Sequence, residues 1–362
     1  MDFPYPENTP GSDFKNNGGK YLRNLSDVNR AFLVEIQEWV AAENINVYDI
    51  CLDVLDNDLI FLRFLRANNF NVKKTKKHIL ANIEWRKAQN IPELMAQTPE
   101  EILGCELSQM IQHFPHWHSG YDKTGRPLLF KQQGAFDTKE IKELAGGSFD
   151  RVIRYHIWEQ ELSSRLCYEA SLRTKTIIET VTVVLDVKGM TLMSLNSDFR
   201  SMMSRIVEMD QEMYPETLGK ILVCNASFIF PAIFSVVKPW LDPMTAAKIN
   251  VKGSDFKDFL DENVGLENLP SNYHGVLPAL TKDVHPYVEG MQVLARPRTR
   301  LADVMQTVAS DEKLAAEVGK LTVDVTIDPH NEKGATVFAF STKGIAVDGP
   351  PKTPTTVAMS PC

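Results

Sequence analysis

The stretch YPETLGKILVCNASFIFPAIFSVVKPWLDPMTAAKINV, residues 214–251, decides how the rest of the chain is interpreted. Its centre is an almost uncharged block at 228–241, about 14 residues long, which is shorter than the roughly 20 that cross a bilayer as a helix. Pro231 and Pro239 fit the first turn and the end of a helix better than its interior. A block of this kind is either buried in a core or covers something apolar.

Strand and helix patterns alternate around this block. The clearest strand is 180–186, which is apolar and β-branched, as expected of a buried parallel strand. The other predicted elements are a hairpin at 114–119 and 128–131, helices at 149–170, from after the strand exit at 188–191 to 213, at 228–238 and at 254–263, and strands at 220–225 and 248–251. This alternation predicts an α/β fold with a mostly parallel sheet and right-handed crossovers.

Three amphipathic helices precede the sheet and predict a small all-α unit. Ser26, Asp56 and Asn71 are placed to cap their N-termini. The predicted organisation is a disordered lead-in at 1–24, the helical unit at 25–95, the α/β domain at 100–280, a linker and helix at 281–320, a short β-rich segment at 321–348 and a disordered tail at 349–362.

Composition restricts the function. The chain has 362 residues, with 39 basic against 47 acidic side chains, and the net charge of −8 argues against bulk nucleic-acid binding. Five widely spaced cysteines indicate reduced thiols, and the N-terminus lacks the pattern of a signal peptide. We therefore expect a soluble, cytoplasmic protein.

The sequence lacks the common signatures of enzymes and metal sites. The sequence contains no Gly-x-Ser-x-Gly elbow, glycine-rich phosphate loop or His-Glu-x-x-His motif, so no enzyme is expected. His113, His116 and His118 suit a metal poorly, and surface or pocket-edge histidines explain them as well. Asp186 ends the clearest strand, where open α/β sheets bind ligands, although a capping or salt-bridged aspartate explains it equally. No metal site is predicted.

Methionines accompany the apolar block. Flexible and polarizable side chains suit surfaces that accept variable apolar partners, although such a stripe alone is more often ordinary core. Beside the Phe-rich block, the stripe favours an apolar cavity. The residues are Met190, Met193, Met202, Met203, Met209 and Met213.

Several motifs together resemble the CRAL-TRIO lipid-binding family, in particular its phosphatidylinositol/phosphatidylcholine transfer type. Their order and spacing hold over about 25–280. The motifs are 59–67 (LIFLRFLRA) with Trp85-Arg86, Asp122-x-x-Gly125-Arg126-Pro127, 185–189 (LDVKG), Tyr214-Pro215-Glu216, 238–243 (KPWLDP) and 267–270 (ENLP). The resemblance implies a helical unit packed on an α/β domain whose sheet floors an apolar pocket, with a mobile helix as its gate.

The resemblance also implies a headgroup site. Glu216 and Lys248 stand where the family binds inositol phosphate. The residue types suit that ligand, because a lysine supplies positive charge to the phosphate and a glutamate accepts hydrogen bonds from the inositol hydroxyls. Asn68 and Asn69 replace the family's basic pair, and Thr191 retains a hydroxyl used for choline lipids. By the same resemblance, His118, Leu129 and Gln160 stand at the places of the family's tyrosines.

The gate implied by the resemblance is the block at 228–241. Pocket and gate residues would be Phe228, Phe230, Phe234, Val237, Trp240, Met190, Met193 and Met209. We expect a protein that extracts and exchanges one phospholipid, phosphatidylinositol by preference, touching membranes transiently, with no cofactor beyond the lipid and no nucleic acid. The alternatives are a binder of neutral, tocopherol- or squalene-like lipids and a lipid-sensing scaffold that regulates trafficking or signalling. Residues 321–347 resemble the opening strands of a GOLD domain.

Overall fold

The computed structural model describes residues 5, 20–288, 291–295, 322–324 and 339–341. The chain divides into two compact units, 1–298 and 299–362. In the second unit, Thr322–Asp324 and Ala339–Ser341 pair as antiparallel strands. The rest of the GOLD-like segment, most of the linker and the predicted tail lie outside the described residues.

The three N-terminal helices begin where the caps predict. They are α1 (Asp27–Ala42), α2 (Asn57–Ala67) and α3 (Val72–Ala88). The side chains of Ser26, Asp56 and Asn71 each accept a hydrogen bond from a backbone N–H in the first turn. Their apolar faces enclose a core that includes Leu33, Ile36, Leu62, Phe64, Leu65 and Ile79.

Four short helices were not predicted from the sequence. They are α4 (Ile91–Leu94), α5 (Pro99–Leu103), α6 (Leu107–His113) and α7 (Thr138–Leu144). None exceeds two turns, so none displays a full amphipathic period. Three local signals could have marked α5: the capping box of Thr98 and Glu101, Pro99 in the first turn and the left-handed Gly104 at the C-cap.

The sheet confirms the predicted α/β architecture. Its strands are β1 (His116–Tyr121), β2 (Pro127–Gln132), β3 (Val181–Asp186), β4 (Leu218–Cys224) and β5 (Ile249–Val251), in the spatial order β1-β2-β3-β4-β5. Strands β1 and β2 form the predicted antiparallel hairpin, and the pairs from β2 to β5 are parallel. In register, Leu129 lies opposite His118 on one side and Val183 on the other.

The two faces of the sheet have different partners. One face packs against a core cluster that contains Phe130, Val184 and Leu222. The alternate residues Val183 and Ile221 point to the other face and are only half-buried. Successive residues of a strand face opposite sides of the sheet. A strand such as β3 is apolar along most of its length because both faces carry apolar residues, although protein closes only one of these faces.

The remaining described helices surround the sheet. They are α8 (Asp150–Thr174), α9 (Ser197–Met213), α10 (Phe230–Val237), α11 (Pro243–Ala247), α12 (Lys257–Asn263) and α13 (Gln292–Ala295). The helix predicted to follow the strand exit at 188–191 begins later than expected: Leu192–Ser194 form a 3₁₀ turn, and Asn196 caps the N-terminus of α9.

Buried polar contacts join the helical unit to the α/β domain. Arg86 on α3 forms a bidentate pair with Glu161 on α8, at Nη1–Oε1 2.6 Å and Nη2–Oε2 2.9 Å. Tyr214 donates its hydroxyl to the same carboxylate, and Asn82 donates to the carbonyl of Met213. The helical unit and the α/β domain both lie within the first compact unit, 1–298.

Candidate functional site

A cavity of about 1180 Å³ lies on the half-buried face of the sheet. Strands β2 to β5 form its floor, α8 and α9 form side walls, and residues after α2 close one end. The apolar lining includes Leu129, Val181, Val183, Leu185, Val187, Met190, Phe199, Met203, Ile206, Leu218, Ile221, Val223 and Ile249, together with residues of the block at 228–241. Such a lining excludes a hydrophilic ligand from most of the volume.

The block at 228–241 covers this cavity. Phe230, Phe234, Val237 and Trp240 line it, and the rings of Phe230 and Phe234 stack with centroids 6.0 Å apart. Phe228 is 95% exposed on the outside. The block therefore has one face on the cavity and at least one large aromatic side chain in solvent.

Gln211 on α9 holds the end of the block. Its Nε2 donates to the Trp240 carbonyl at 3.1 Å, and its Oε1 accepts from the Asp242 N–H at 2.6 Å. The Asp242 carboxylate in turn caps α11. One side chain thus fixes the segment between α10 and α11 to the wall of the cavity.

Glu216 and Lys248 meet at the end of the cavity nearest β5. Lys248 Nζ lies 3.4 Å from Glu216 Oε2, and both side chains are largely buried. Glu216 has φ of 58°, a left-handed conformation that costs a non-glycine residue roughly 1–2 kcal/mol. Backbone strain of this kind persists only where the surrounding structure imposes it, and it is found most often at functional sites.

A smaller polar cleft of about 410 Å³ adjoins this end and shares Arg66, Glu216 and Lys248 with the main cavity. Its lining carries four cations against two carboxylates, Glu179 and Glu216. The cations are Arg66, Arg126, Lys220 and Lys248. The cleft is therefore suited to an anionic group.

Arg66 has unused hydrogen-bonding capacity in this cleft. Its Nη2 pairs with Glu179 Oε1 at 3.1 Å, while its buried Nε and Nη1 have no hydrogen-bond partner. Burial alone lowers the pKa of Arg66, but Glu179 outweighs it and the pKa is raised. Burial lowers the pKa of Arg126, whose Nη1 is also buried without a hydrogen bond.

A second polar cluster lies on the inner wall, around α8. His156, Glu159, Gln160 and Ser163 recur at i, i+3, i+4 and i+7 and all line the cavity. Burial opposes the charged form of His156, but its contact with Asp210, at Nε2–Oδ1 2.9 Å, raises its pKa to about 9.

Glu159 is the centre of this cluster. Its carboxylate is 2% exposed, with Oε1 3.4 Å from both His116 Nε2 and His118 Nε2 and Oε2 3.8 Å from Lys131 Nζ. Burial would raise the pKa of Glu159, yet Lys131 and the histidines hold it well below the usual range. Burial lowers the pKa of His116 to about 4, so this imidazole is neutral at physiological pH.

The structure brings most of the expected residues to the cavity lining. Those present are Glu216, Lys248, Asn68, Asn69, Phe230, Phe234, Val237, Trp240 and Met190. Leu129 and Gln160, at the places of the family's tyrosines, also line it.

Four expected residues lie elsewhere. Thr191 is exposed, with its hydroxyl 3.4 Å from that of Ser194, and Met193 is 85% exposed in the same 3₁₀ turn. Met209 packs against the core between α8 and α9 instead of the cavity. Phe228 faces solvent, as given above. The methionine stripe is thus divided, because the chain turns between Met190 and α9.

Sequence reasoning missed the buried polar groups. His116 and His118 are fully buried, so the expectation that they lie at a surface or pocket edge is wrong. Within the ranges that the structure describes, no group of His, Cys, Asp and Glu side chains is arranged to hold a metal ion. Arg66, Arg126 and Lys220 stood in recognisable motifs or strands, but their convergence depends on tertiary structure. The polar residues that line the cavity from α8 could have been recognised from their i, i+3, i+4 and i+7 spacing.

Comparison with known families decides the affiliation. Residues 112–275 match the CRAL/TRIO domain, and residues 31–81 match the CRAL/TRIO N-terminal domain. The SEC14 cytosolic factor of Eremothecium gossypii is 31% identical over 220 residues, which cover 60% of this chain and 69% of that protein. The chain belongs to the CRAL-TRIO family.

Other CRAL-TRIO proteins agree with this result. The Arabidopsis thaliana phosphatidylinositol/phosphatidylcholine transfer protein SFH12 is 32% identical over 216 residues, which cover 59% of this chain and 39% of that protein. The chain spans about a third to a half of the length of such plant relatives. The crystal structure of Sfh5 has the same fold, with a TM-score of 0.54 at 17% identity, covering 79% of this chain and 99% of that one. No described helix is both long and apolar enough to span a membrane.

Proposed function

We propose that this protein binds one phospholipid, phosphatidylinositol by preference, and exchanges it between membranes. The observation that carries the proposal is the junction of the apolar cavity with the cationic cleft at Arg66, Glu216 and Lys248. Acyl chains would occupy the cavity, and the phosphorylated headgroup would lie in the cleft. The names of the matched Arabidopsis relatives, which are phosphatidylinositol/phosphatidylcholine transfer proteins, support the same class of ligand.

The size and lining of the cavity support a lipid with two chains. A volume of about 1180 Å³ exceeds the range of roughly 300–1,000 Å³ that holds drug-sized ligands. Each methylene removed from water contributes about 0.8 kcal/mol, so two acyl chains supply the binding free energy without covalent chemistry. The lipid is the cargo, and no other cofactor is proposed.

The polar cleft supports an inositol phosphate. A phosphate would accept hydrogen bonds from Lys248 and from the unpartnered Nε and Nη1 of Arg66. Glu216 would accept from ring hydroxyls, for which carboxylate oxygens are suitable acceptors. Because Lys248 and Glu216 are 3.4 Å apart, beyond the usual length of a charged hydrogen bond, a ligand that separates them loses little.

The block at 228–241 is proposed to be the gate. Opening would expose Phe230 and Phe234 beside the already exposed Phe228, and an interfacial phenylalanine cluster favours contact with a bilayer. We accordingly place the protein in the cytoplasm, touching membranes transiently.

A vesicle transfer assay tests the headgroup assignment. Lys248→Ala should lower phosphatidylinositol transfer roughly ten- to a hundredfold, since a hydrogen bond to a charged group contributes about 1.5–3 kcal/mol. Transfer of a neutral lipid should fall far less. Lys257→Ala, at an exposed position outside the cavity, is the matched control. Equal loss for both lipids, or loss for neither, would contradict the assignment of Lys248.

A further inference from the structure

The Glu159 cluster stands apart from the Lys248 end of the cavity. Lys131 is on β2, whereas Lys248 immediately precedes β5, with β3 and β4 between them. At about 4.8 Å between neighbouring strands, the strands that carry these two groups are about 14 Å apart across the floor. A headgroup bound at Lys248 therefore leaves the Glu159 cluster to another ligand group.

Glu159 lacks the hydrogen bonds that its burial demands. Neither carboxylate oxygen has a well-formed hydrogen bond: Oε1 has only His118 Nε2 and His116 Nε2 at 3.4 Å, the latter committed to the Tyr155 hydroxyl, although the side chain is only 2% exposed and lines the cavity. The ammonium of Lys131 is 3.8 Å away, too far for a hydrogen bond. A buried acceptor left unpaired is costly, so a group that enters the cavity and donates to this carboxylate is favoured.

The surroundings restrict that group's charge. A second cation is disfavoured because Lys131 and the protonated His156 already face the carboxylate. An anion is disfavoured because Glu159 and Asp210 both line this wall. A quaternary ammonium has no N–H to donate, and the neighbouring lining of Leu129, Gln160 and Ser163 offers it no aromatic face.

We propose that Glu159 and Lys131 form a second headgroup subsite, which takes the free hydroxyl of an uncharged lipid. The hydroxyl donates to a Glu159 oxygen and accepts from the Lys131 ammonium, so both buried groups gain a partner. The inference rests on the proposed lipid-binding function of the same cavity and adds a second class of cargo to it. A lipid bound here has its polar end inside the cavity, away from the cationic cleft.

The test uses two lipids that differ by one proton donor. Full-length protein is incubated with phosphatidylcholine vesicles containing equal amounts of 1,2-dioleoylglycerol and its 3-O-methyl ether, and captured lipid is quantified by mass spectrometry. Both lipids carry the same chains and an acceptor oxygen, but only the alcohol donates. The wild-type protein should capture the alcohol about ten- to a hundredfold more, the range for a hydrogen bond to a charged group.

Protein variants distinguish selectivity due to Glu159 from any difference in how readily the two lipids leave the vesicles. In Glu159→Met the capture ratio should fall to about one, and in Glu159→Gln it should fall to a few-fold, because the acceptor is then uncharged. Glu106→Met, at an exposed position outside the cavity, should keep the wild-type ratio. Lys131→Met should lower capture of both lipids and keep their ratio. If Glu159→Met does not fold by circular dichroism, the Glu159→Gln ratio decides.

A parallel incubation with the same vesicles supplemented with phosphatidylinositol separates the two proposals. If the ratio of captured alcohol to captured ether is the same in wild-type protein and the Glu159 variants, and phosphatidylinositol is still captured, only the proposed hydroxyl subsite is overturned. A Glu159-dependent ratio without phosphatidylinositol capture supports the subsite and overturns the headgroup assignment at Lys248. Capture of neither lipid overturns both.

Discussion

Gln211 makes the gate's closure testable by one substitution. Its amide forms two hydrogen bonds, to the Trp240 carbonyl and from the Asp242 N–H, and both join α9 to the end of the gate. Each hydrogen bond contributes about 0.5–1.5 kcal/mol net. Replacing Gln211 by alanine should therefore destabilise the closed gate by about 1–3 kcal/mol, which shifts the opening equilibrium roughly five- to a hundredfold.

Hydrogen exchange measures this shift directly. Backbone amides in residues 230–247 should exchange faster in Gln211→Ala by that factor, while amides of the β3 and β4 core should keep their wild-type protection. Gln211→Glu retains the acceptor for the Asp242 N–H but loses the donor to Trp240, so its effect should be about half in free energy. Gln109→Ala, an exposed glutamine on α6, serves as the control.

Lipid transfer gives the second measurement. If opening limits exchange, Gln211→Ala should transfer lipid faster and retain it less well during gel filtration. The reasoning is refuted if Gln211→Ala leaves exchange in residues 230–247 unchanged, because the two hydrogen bonds would then contribute nothing to closure. Uniformly faster exchange over the whole domain would show global destabilisation instead of gate opening.

Three further outcomes are expected. Arg86→Met, which removes the guanidinium partner of buried Glu161, should lower the free energy of unfolding by about 3–5 kcal/mol in urea titrations; a change below 1 kcal/mol would contradict the role of this pair. The pKa of His156 is raised from 6.5 to about 9. Its contribution of about 3 kcal/mol to the free energy of unfolding is therefore fully present below pH 6.5 and is lost as the pH rises to about 9. Asp210→Asn should reduce this loss of stability with pH, measured by urea titration at several pH values. An unchanged dependence of the free energy of unfolding on pH would refute the role of the His156–Asp210 contact. In Cys362→Ser, the half-buried Cys105 should react first with a thiol reagent, whereas the buried thiols Cys51, Cys167 and Cys224, whose pKa values burial raises, should react only on unfolding.

Local signals predicted the elements that have full periods or strong caps. Helices α1 to α3 begin at their predicted capping residues, and the apolar run at 180–186 became β3 within one residue. The short helices α4 to α7 were missed because one or two turns leave no period to detect. The 3₁₀ turn after Met190 was also missed, and with it the outward placement of Thr191 and Met193.

The site was predictable only in part, for a physical reason. Glu216 and Lys248 stand in motifs on the chain, and the structure places them 3.4 Å apart. Burial of Glu159 could not be inferred, because a glutamate on a helix is ordinarily solvent-exposed and only the assembled cavity removes it from water. The same holds for Arg66, whose environment is made by segments more than a hundred residues away.

The cationic cleft has one wall contributed from the start of the chain. Tyr5 is buried there, donates its hydroxyl to Glu179 Oε2 at 2.9 Å and meets the Tyr21 ring edge-on at 5.7 Å. Glu179 is also the partner of Arg66. A truncation that removes residue 5 would therefore alter the hydrogen bonding of the arginine proposed to hold phosphate.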